Sequence, residues 1–492
     1  MPVPPYVPTS HKGLHHQWLE ELGQDWSVVA EPDRPPRPPF KVYLPRDAEE
    51  AARALRECAL LGEPPVLRGQ AHSSNELVTA VQQPQRGGLL LTTEMNRVLD
   101  VDPVAGTATV QSGAVLADID RILSEHPGGP VGLPVIGDHT DITAGGFASV
   151  GGVGPASHRF GLFADNVVAA QYATPEGELR RCALDGPPEE RRELLRLLLG
   201  TGRHGLLTEL TLRTIPIDKY RTLLRLHRHL TTSLDEFLPR VGALLRAPDP
   251  AMRYERVIWL DVRYGPFAAQ LGEICAYHAS SRNGVKSAVE KAGYGYLKGI
   301  GFLAGRWPSP IDETLRLLGT AGVFTSPLWA TVKDVERFTD LVMDYGVGDP
   351  PRWLVSFVPA DRFEEFFEQA RGLLAAERAR SGAVGDIAMF AKGIDSRYLA
   401  GDADTAPPPG GTPPAASRRY AEVICFFGCP PDRMTAPILA GLVDSFDELT
   451  LRCGGYRYLH TLTTTDPERR ARLDANTRYA AEAARREKAE QT

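Results

Sequence analysis

Two short segments of the chain combine glycines with polar side chains in a way that suits phosphate binding. One is RGQAHS at 68–73, directly after a predicted buried strand, and the other is TAGGFAS at 143–149. Glycines let the backbone approach a ligand closely and aim successive N–H groups at phosphate oxygens. Thr143 and Ser149 add hydroxyl donors. His72 stands near the end of the first loop, where its imidazole could reach a bound ring system.

A dinucleotide-binding fold is the alternative for the same glycine-rich region. The run GVGPAS at 152–157 imitates a G-x-G-x-x-G motif, and Glu176 follows about 20 residues later. Pro155, however, lacks the backbone N–H that a pyrophosphate would need, and residues 160–168 lack helical periodicity. We therefore favour the cradle of two cooperating loops.

The cysteines do not predict a metal centre or a disulfide framework. Six cysteines are too few for a disulfide scaffold in a chain of 492 residues. Cys425 and Cys429 have no second Cys or His pair nearby at zinc spacing, so we interpret them as buried thiols in or near a strand. The first residues carry no basic region followed by an apolar core, and we expect a cytoplasmic protein with reduced thiols.

Composition excludes several classes of partner. The hydrophobic fraction of 42% and the charged fraction of 24% are those of an ordinary globular protein. No apolar run approaches the ~18 residues of a membrane span. Fifty-five Lys and Arg against 62 Asp and Glu leave a net charge of −7, which argues against nonspecific binding to nucleic acids or anionic membranes.

The elements that must position the loops are short strands separated by tight turns. Residues 133–161 form a long glycine-rich segment between the predicted helix at 114–123 and the strands that follow. A second helix is predicted at 47–61, with Asp47 as its cap and Gly62 at its end. Strands are predicted at 40–44, 65–67, 89–93, 98–101, 107–111, 167–173, 179–184 and 206–214.

After Ile217 the pattern changes to strand–helix–strand units, which favour a second domain built on an antiparallel sheet. Its strands are predicted at 257–262, 353–358, 387–391 and 420–427, and its helices at 360–376 and 435–447. The predicted divisions are a Pro-rich arm at 1–38, a first domain at 39–216, a second domain at 217–465 with a linker loop at 403–418, and a charged C-terminal helix at 466–492.

Four segments in the first half of the chain resemble segments of one known protein family. The loop at 68–73 resembles the pyrophosphate loop of the FAD-linked oxidase superfamily that includes vanillyl-alcohol oxidase and p-cresol methylhydroxylase. The runs at 89–123, 142–179 and 197–216 are similar to later segments of the same domain, in the same order. The resemblance implies an α+β fold, with a two-subdomain FAD-binding domain of the PCMH type followed by an α+β substrate (cap) domain on an antiparallel sheet.

Cytokinin dehydrogenase, alditol oxidase and the decaprenylphosphoryl-ribose oxidase group are the nearest likenesses. His72 matches the histidine that carries FAD covalently in the first two, although it could instead only hydrogen-bond the loop. Asp138 matches the catalytic carboxylate of cytokinin dehydrogenase, although it could merely cap the turn, or Asp141 could be the inward residue instead. The implied cofactor-binding residues are Arg68, Gly69, Gln70, Ala71, His72, Ser73, Asp138, Thr143, Gly145, Gly146, Ser149, Val153 and Leu207.

In the second half the resemblance is looser. Lys392 matches the position of an active-site lysine in the decaprenylphosphoryl-ribose oxidase group, although it could be a solvated strand end. GGYRYLHTLT at 454–463 is similar to a late strand of that branch, on which Tyr458 and His460 would share one side and face substrate. The pair could instead belong to the core, which we favour for Tyr458. The family's usual Asp-Pro…Pro-Gly ending is represented here only by Asp466 and the proline after it.

The resemblance implies an FAD-dependent oxidoreductase that takes a hydride from a C–H bond next to oxygen or nitrogen of a small molecule. Asp138, Lys392 and His460 are the implied catalytic residues, and oxygen or another acceptor takes the electrons. The alternatives are a flavin-dependent double-bond reductase or oxidative cyclase, and a flavin-binding scaffold with a degenerate site.

Overall fold

The computed structural model describes residues 41–73, 88–264, 267–280, 311, 329–337, 351–399 and 419–477. The predicted arm at 1–38 and the predicted linker at 403–418 lie outside these described residues. Within them, no helix combines the length and the apolar character that a membrane span requires. The fold is α+β, with mixed helices and largely antiparallel sheets, as the sequence predicts.

A three-stranded parallel sheet carries the first loop at the end of one strand. Its strands are β1 (Val42–Tyr43), β2 (Val66–Arg68) and β3 (Leu89–Leu91), paired in the order β1-β3-β2. Helix α1 (Ala48–Leu61) packs nearby and begins at Asp47, whose carboxylate accepts the Glu50 N–H at 2.8 Å. It ends at Gly62, which has a left-handed φ of 68°.

A five-stranded antiparallel sheet forms the rest of the first half. Its order is β4-β5-β8-β6-β7, with strands β4 (Val98–Asp102), β5 (Thr107–Gln111), β6 (Val167–Ala173), β7 (Leu179–Ala183) and β8 (Leu206–Arg213). Helices α2 (Leu116–Ser124), α3 (Ala144–Val150), α4 (Ser157–Phe160) and α5 (Pro188–Leu197) connect these strands. On β8, Leu210 and Leu212 are buried and Thr211 is only partly buried, which is the alternation that predicted the strand.

The second half is built on an eight-stranded antiparallel sheet of order β12-β9-β11-β10-β14-β15-β13-β16. Its strands are β9 (Leu223–Thr231), β10 (Met252–Tyr264), β11 (Phe267–Ala279), β12 (Trp329–Thr331), β13 (Pro351–Pro359), β14 (Ile387–Ile394), β15 (Tyr420–Gly428) and β16 (Tyr456–Arg457). The helices are α6 (Leu234–Arg246), α7 (Val332–Glu336), α8 (Phe363–Ser381), α9 (Ala436–Arg452) and α10 (Pro467–Leu473).

Successive residues of β14 and β15 point to opposite sides of this sheet. Met389, Ala391, Val423 and Cys425 are buried in one hydrophobic core with side chains of α6, α8 and α9. The residues between them, Phe390 and Ile424, line a cavity on the other side of the sheet, as does Lys392. Helices therefore cover one face of the sheet, and the opposite face turns toward the first domain.

Two segments differ from their predicted structures. The glycine-rich stretch at 133–161 contains the helices α3 and α4 rather than turns alone. Leu473 at the end of α10 and Asn476 just beyond it are buried, although the sparse apolar positions predicted a solvated helix from Asp466. The Asn476 side-chain amide donates to the Leu198 carbonyl at 2.9 Å. Residues 473–476 therefore pack on the first half of the chain.

Candidate functional site

A cavity lies between the first domain and the eight-stranded sheet, and every predicted site residue lines it. Residues 67–73 and segments between 137 and 153 form one side of the cavity, with 201–202 and 205–207 beside them. Side chains of β13, β14 and β15 form the opposite side. Asp138, Lys392 and His460, which lie far apart in sequence, thus meet the whole predicted set of cofactor-binding residues in one place.

The two predicted loops contact each other directly. A Cβ atom on Gly69 would lie 2.3 Å from the Thr143 hydroxyl oxygen, so the approach of the second loop requires glycine at this position. Ala71 adopts a left-handed φ of 60°, which is uncommon for a residue with a Cβ atom. Such backbone strain persists where the surroundings enforce it, and it clusters at functional sites. The first loop is therefore held in a defined shape.

The second loop starts helix α3. The Thr143 hydroxyl accepts the Gly146 N–H at 3.3 Å and caps the helix. Gly145 donates its N–H to the Ser112 carbonyl at 2.7 Å, and a Cβ on Gly145 would lie 2.7 Å from the Ser112 Cβ. The Ser149 hydroxyl donates to the Gly145 carbonyl at 2.7 Å, so in this structure it bonds its own helix while lining the cavity.

These observations fit the FAD that the sequence predicts. Loops that place glycines at their closest contacts suit a diphosphate ligand, because its oxygens can then accept hydrogen bonds from main-chain N–H groups. Gly202 and Gly205 also line the cavity, as does the predicted contact Leu207. Loops 68–73 and 143–149 would hold the diphosphate.

Histidines and one carboxylate cluster at the end of the first loop. His72 Nε2 lies 2.9 Å from Asp141 Oδ1, and both side chains are largely buried. The rings of His72 and His139 stack with centroids 5.8 Å apart. Burial alone would raise the pKa of Asp141, but the charge of His72 and the hydrogen bond to it lower that pKa to about 2. Asp141 therefore stays ionised and faces His72. This contact between Asp141 and His72 was not predicted from the sequence.

Asp138 contacts the predicted lysine of the second domain. Lys392 Nζ donates to Asp138 Oδ2 at 2.5 Å and to Glu422 Oε2 at 3.2 Å. The lysine and Glu422 are buried, whereas the Asp138 side chain is 28% exposed and so open to a ligand. Burial lowers the pKa of Lys392, but the two carboxylates outweigh it and raise that pKa above its usual range. Lys392 is therefore a paired ammonium, not a solvated strand end.

Glu422 was not predicted from the sequence. It lies opposite Lys392 in the register of β14 and β15, so the sheet places the two side chains side by side. Burial raises the pKa of Glu422, and Lys392 opposes that rise. An acidic residue within an apolar strand was the available signal, but only the strand pairing shows its partner.

Tyr458 and His460 line the cavity without forming the predicted strand. Strand β16 ends at Arg457, and the two rings meet edge to face with centroids 4.0 Å apart. The Tyr458 hydroxyl accepts the Gly152 N–H at 3.1 Å and so joins the second domain to the glycine-rich segment. Burial, together with the charges of His72 and His139, lowers the pKa of His460 to about 3. His460 is therefore a neutral ring near pH 7.

Comparison with known proteins agrees with this geometry. A family model described as FAD binding domain matches residues 39–183. An uncharacterized oxidoreductase of the fasciation locus of Rhodococcoides fascians is 34% identical over 30% of this chain and 31% of its own length. A glycolate oxidase subunit of Bacillus subtilis is 26% identical over 39% of this chain and 40% of its own. L-Gulonolactone oxidase of Bos taurus is 26% identical over 45% of this chain and 46% of its own.

The chain thus spans between 31% and 46% of the length of these three relatives. The match at 39–183 contains both glycine loops, His72, Asp138 and Asp141. Residues 39–183 thus match an FAD binding domain, and through this part of the chain the protein is similar to FAD-linked oxidoreductases.

Proposed function

We propose that the protein is an FAD-dependent oxidoreductase that oxidises a C–H bond next to oxygen or nitrogen in a small molecule. FAD bound in the cavity would accept the hydride from that carbon. The observation that carries the proposal is the Asp138–Lys392–Glu422 cluster, which the second domain places in the same cavity as the two FAD loops. A flavin-binding scaffold with a degenerate site would not need this buried charge cluster.

Asp138 is the proposed proton acceptor. It is the more exposed carboxylate of the cluster, and an alcohol or amine must lose a proton as its carbon loses a hydride. A lysine ammonium has three N–H donors, and Lys392 directs two of them to Asp138 and Glu422. We assign the third to the oxygen or nitrogen of the substrate, which it would orient.

His72 is the proposed site of covalent FAD attachment. Attachment would join an imidazole nitrogen to the 8α-methyl carbon of the flavin and would release two electrons and two protons, which oxygen would accept. Asp141, 2.9 Å from the ring, supports this role because its negative charge stabilises the positive charge that develops on an attacking imidazole. Alditol oxidase and cytokinin dehydrogenase, which the His72 loop resembles, carry such a bond.

The relatives' names support an alcohol carbon as the hydride donor. Glycolate oxidase and L-gulonolactone oxidase are named for compounds that carry hydroxyl groups. Neither substrate is carried over to this chain, because the similarity covers less than half of each relative.

Anaerobic spectroscopy of the purified protein tests the proposal. The FAD absorbance should bleach when alcohols or amines are added from a panel, and oxygen or an artificial acceptor should restore it. A yellow protein that no donor in a broad panel bleaches would support the scaffold alternative. A protein that neither contains nor takes up FAD would exclude the proposed function.

A further inference from the structure

The sheet side of the cavity is apolar next to the charge cluster. Phe390 on β14, Ile424 and Phe426 on β15, and Trp353 and Val355 on β13 all line the cavity. Phe390 is two positions from Lys392 on β14, and Ile424 and Phe426 are two and four positions from Glu422 on β15, so they share the face of these charged residues. Val355 and Trp353 pair with Ile424 and Phe426 and therefore lie on that face as well. The charged cluster therefore has a broad apolar surface beside it.

Strand register arranges this surface in rows. Phe390 pairs with Ile424, and Ile424 pairs with Val355, so these three form the row next to Lys392 and Glu422. Phe426 pairs with Trp353 and forms the following row, in which the two rings are nearly parallel at 15°. Because a strand rises about 3.3 Å per residue, the rows lie roughly 7 and 13 Å from the charge cluster.

Anionic substrates fit this side of the cavity poorly. Among the described residues that line it, the Lys and Arg side chains are Arg68, which belongs to the first FAD loop, and Lys392. Lys392 already contacts two carboxyl groups, so its positive charge is paired within the protein. The carboxylate of an α-hydroxy acid would lose its hydration there without gaining a cation that is not already paired.

Polyols and free sugars are also disfavoured. Each of their hydroxyl groups would need a hydrogen-bond partner once it leaves water. The apolar rows of Phe390, Ile424 and Val355 offer no side-chain donor or acceptor. Burial of a flat hydrocarbon body on the same surface is favourable by about 25 cal/mol per Å².

We propose that the substrate is a neutral alcohol with an apolar, preferably aromatic body. Its hydroxyl group lies at Asp138 and Lys392, and its body extends over Phe390 and Ile424 toward Phe426. The inference rests on the proposed function. In the reaction the carbinol carbon gives a hydride to FAD and the hydroxyl gives its proton to Asp138, so the alcohol becomes a carbonyl compound. Oxygen or an added dye finally takes the two electrons.

Binding of tertiary alcohols tests the inference independently of turnover, because a tertiary carbinol carbon has no hydrogen to lose. The probes are tert-butanol, its analogue with one methyl replaced by naphthyl, and its analogue with one methyl replaced by carboxylate. Isothermal titration of the FAD-loaded protein should give the tightest binding for the naphthyl alcohol, at least about 100-fold tighter than tert-butanol from the added apolar area. The carboxylate should bind no better than tert-butanol.

Variants locate the binding surface. Phe426→Ala should weaken binding of the naphthyl probe about tenfold and leave tert-butanol unchanged, because only the larger body reaches that row. Leu230→Ala is the matched control, since it removes an exposed apolar side chain from another strand of the same sheet. This control should leave both affinities unchanged. Thermal unfolding checks that each variant is folded.

The outcomes separate this inference from the proposed function. Three results would overturn the inference: tighter binding of the carboxylate probe, equal binding of all three probes, and a Phe426→Ala variant that weakens tert-butanol as much as the naphthyl probe. In each case a protein that still contains FAD and is bleached by some donor would retain the proposed function. A protein without FAD would fail the proposed function, whatever its ranking of the probes.

Discussion

Asp138 and Lys392 lie 254 positions apart in the chain, yet Lys392 donates a hydrogen bond to Asp138. The resemblance nominated each residue separately, and the sequence held no signal that they form a pair. Glu422 was missed because its role depends on the register between β14 and β15. The sequence thus shows the chemical type of a residue, but the pairing of the strands determines which residue it contacts.

The Asp138→Asn substitution tests the proton acceptor. Asparagine keeps the shape of the side chain but cannot take the substrate proton, so the rate of FAD bleaching should fall by about 10²–10⁴. Stopped-flow absorbance measures this rate under anaerobic conditions. The FAD content should stay unchanged, and Asp118→Asn, an exposed carboxylate on α2, is the control. Unchanged bleaching by Asp138→Asn would contradict the assigned role.

The Asp141→Asn substitution tests the buried pair with His72. The folded-state pKa of Asp141 is about 2 against an ordinary value of 3.8, so its charge stabilises the folded protein above about pH 4. This stabilisation is lost as pH falls from about 4 toward 2. The variant should be less stable by roughly 2 kcal/mol near pH 7, with a smaller difference at about pH 3. Urea unfolding measures it; a difference independent of pH would be inconsistent with this pair.

At the scale of elements, alternation and capping predicted most strands and helix α1. The helix α3 was not predicted, because its Ala-Gly-Gly start has low helical propensity and nothing in the local pattern outweighs it. The Thr143 cap and the backbone bond from Gly145 to Ser112 stabilise it instead. Tyr458 and His460 were wrongly placed on a strand, since alternation over so few residues does not distinguish a strand from a turn.

The Gly69→Ala substitution tests the contact between the two loops. The new methyl group would overlap the Thr143 hydroxyl, so we expect a loss of about 1–3 kcal/mol in stability and a lower FAD content. Adding Thr143→Ala should restore part of both, because it removes the overlapping oxygen. Gly372→Ala in α8 is the control, since a Cβ there meets nothing within 4 Å. Calorimetry and absorbance measure the effects; normal FAD content in Gly69→Ala would refute the required contact.

At the scale of the whole molecule, a buried cluster of hydrogen-bonded side chains joins the two halves of the chain. Lys219 Nζ donates to Asp120 on α2 at 2.7 Å and to Glu336 on α7 at 2.9 Å. All three side chains are buried. The sequence could not predict this junction, because its members are 99 and 117 positions apart and lie among many other charged residues.

The Glu336→Gln substitution tests that junction. Burial raises the pKa of Glu336 from 4.5 to about 8 despite the charge of Lys219. The native state then holds a proton that the unfolded state releases, so this contribution is complete below about pH 4.5 and is lost as pH rises toward 8.

Relative to Glu336→Gln, the wild-type protein should lose up to about 1.4 kcal/mol of stability for each pH unit within this window. Urea unfolding near pH 5, 6, 7 and 8 gives the slope. Glu178→Gln replaces an exposed carboxylate and should show no such slope. A flat difference between Glu336→Gln and the wild type would contradict the raised pKa.

Acid precipitation of the purified protein tests the central claim, that two glycine loops hold FAD and that His72 bonds it. The absorbance of the pellet and the supernatant shows where the flavin goes. We predict that FAD stays in the wild-type pellet and appears in the supernatant for His72→Ala. FAD in the wild-type supernatant would contradict the covalent bond, and a protein that neither contains nor takes up FAD would contradict the whole account.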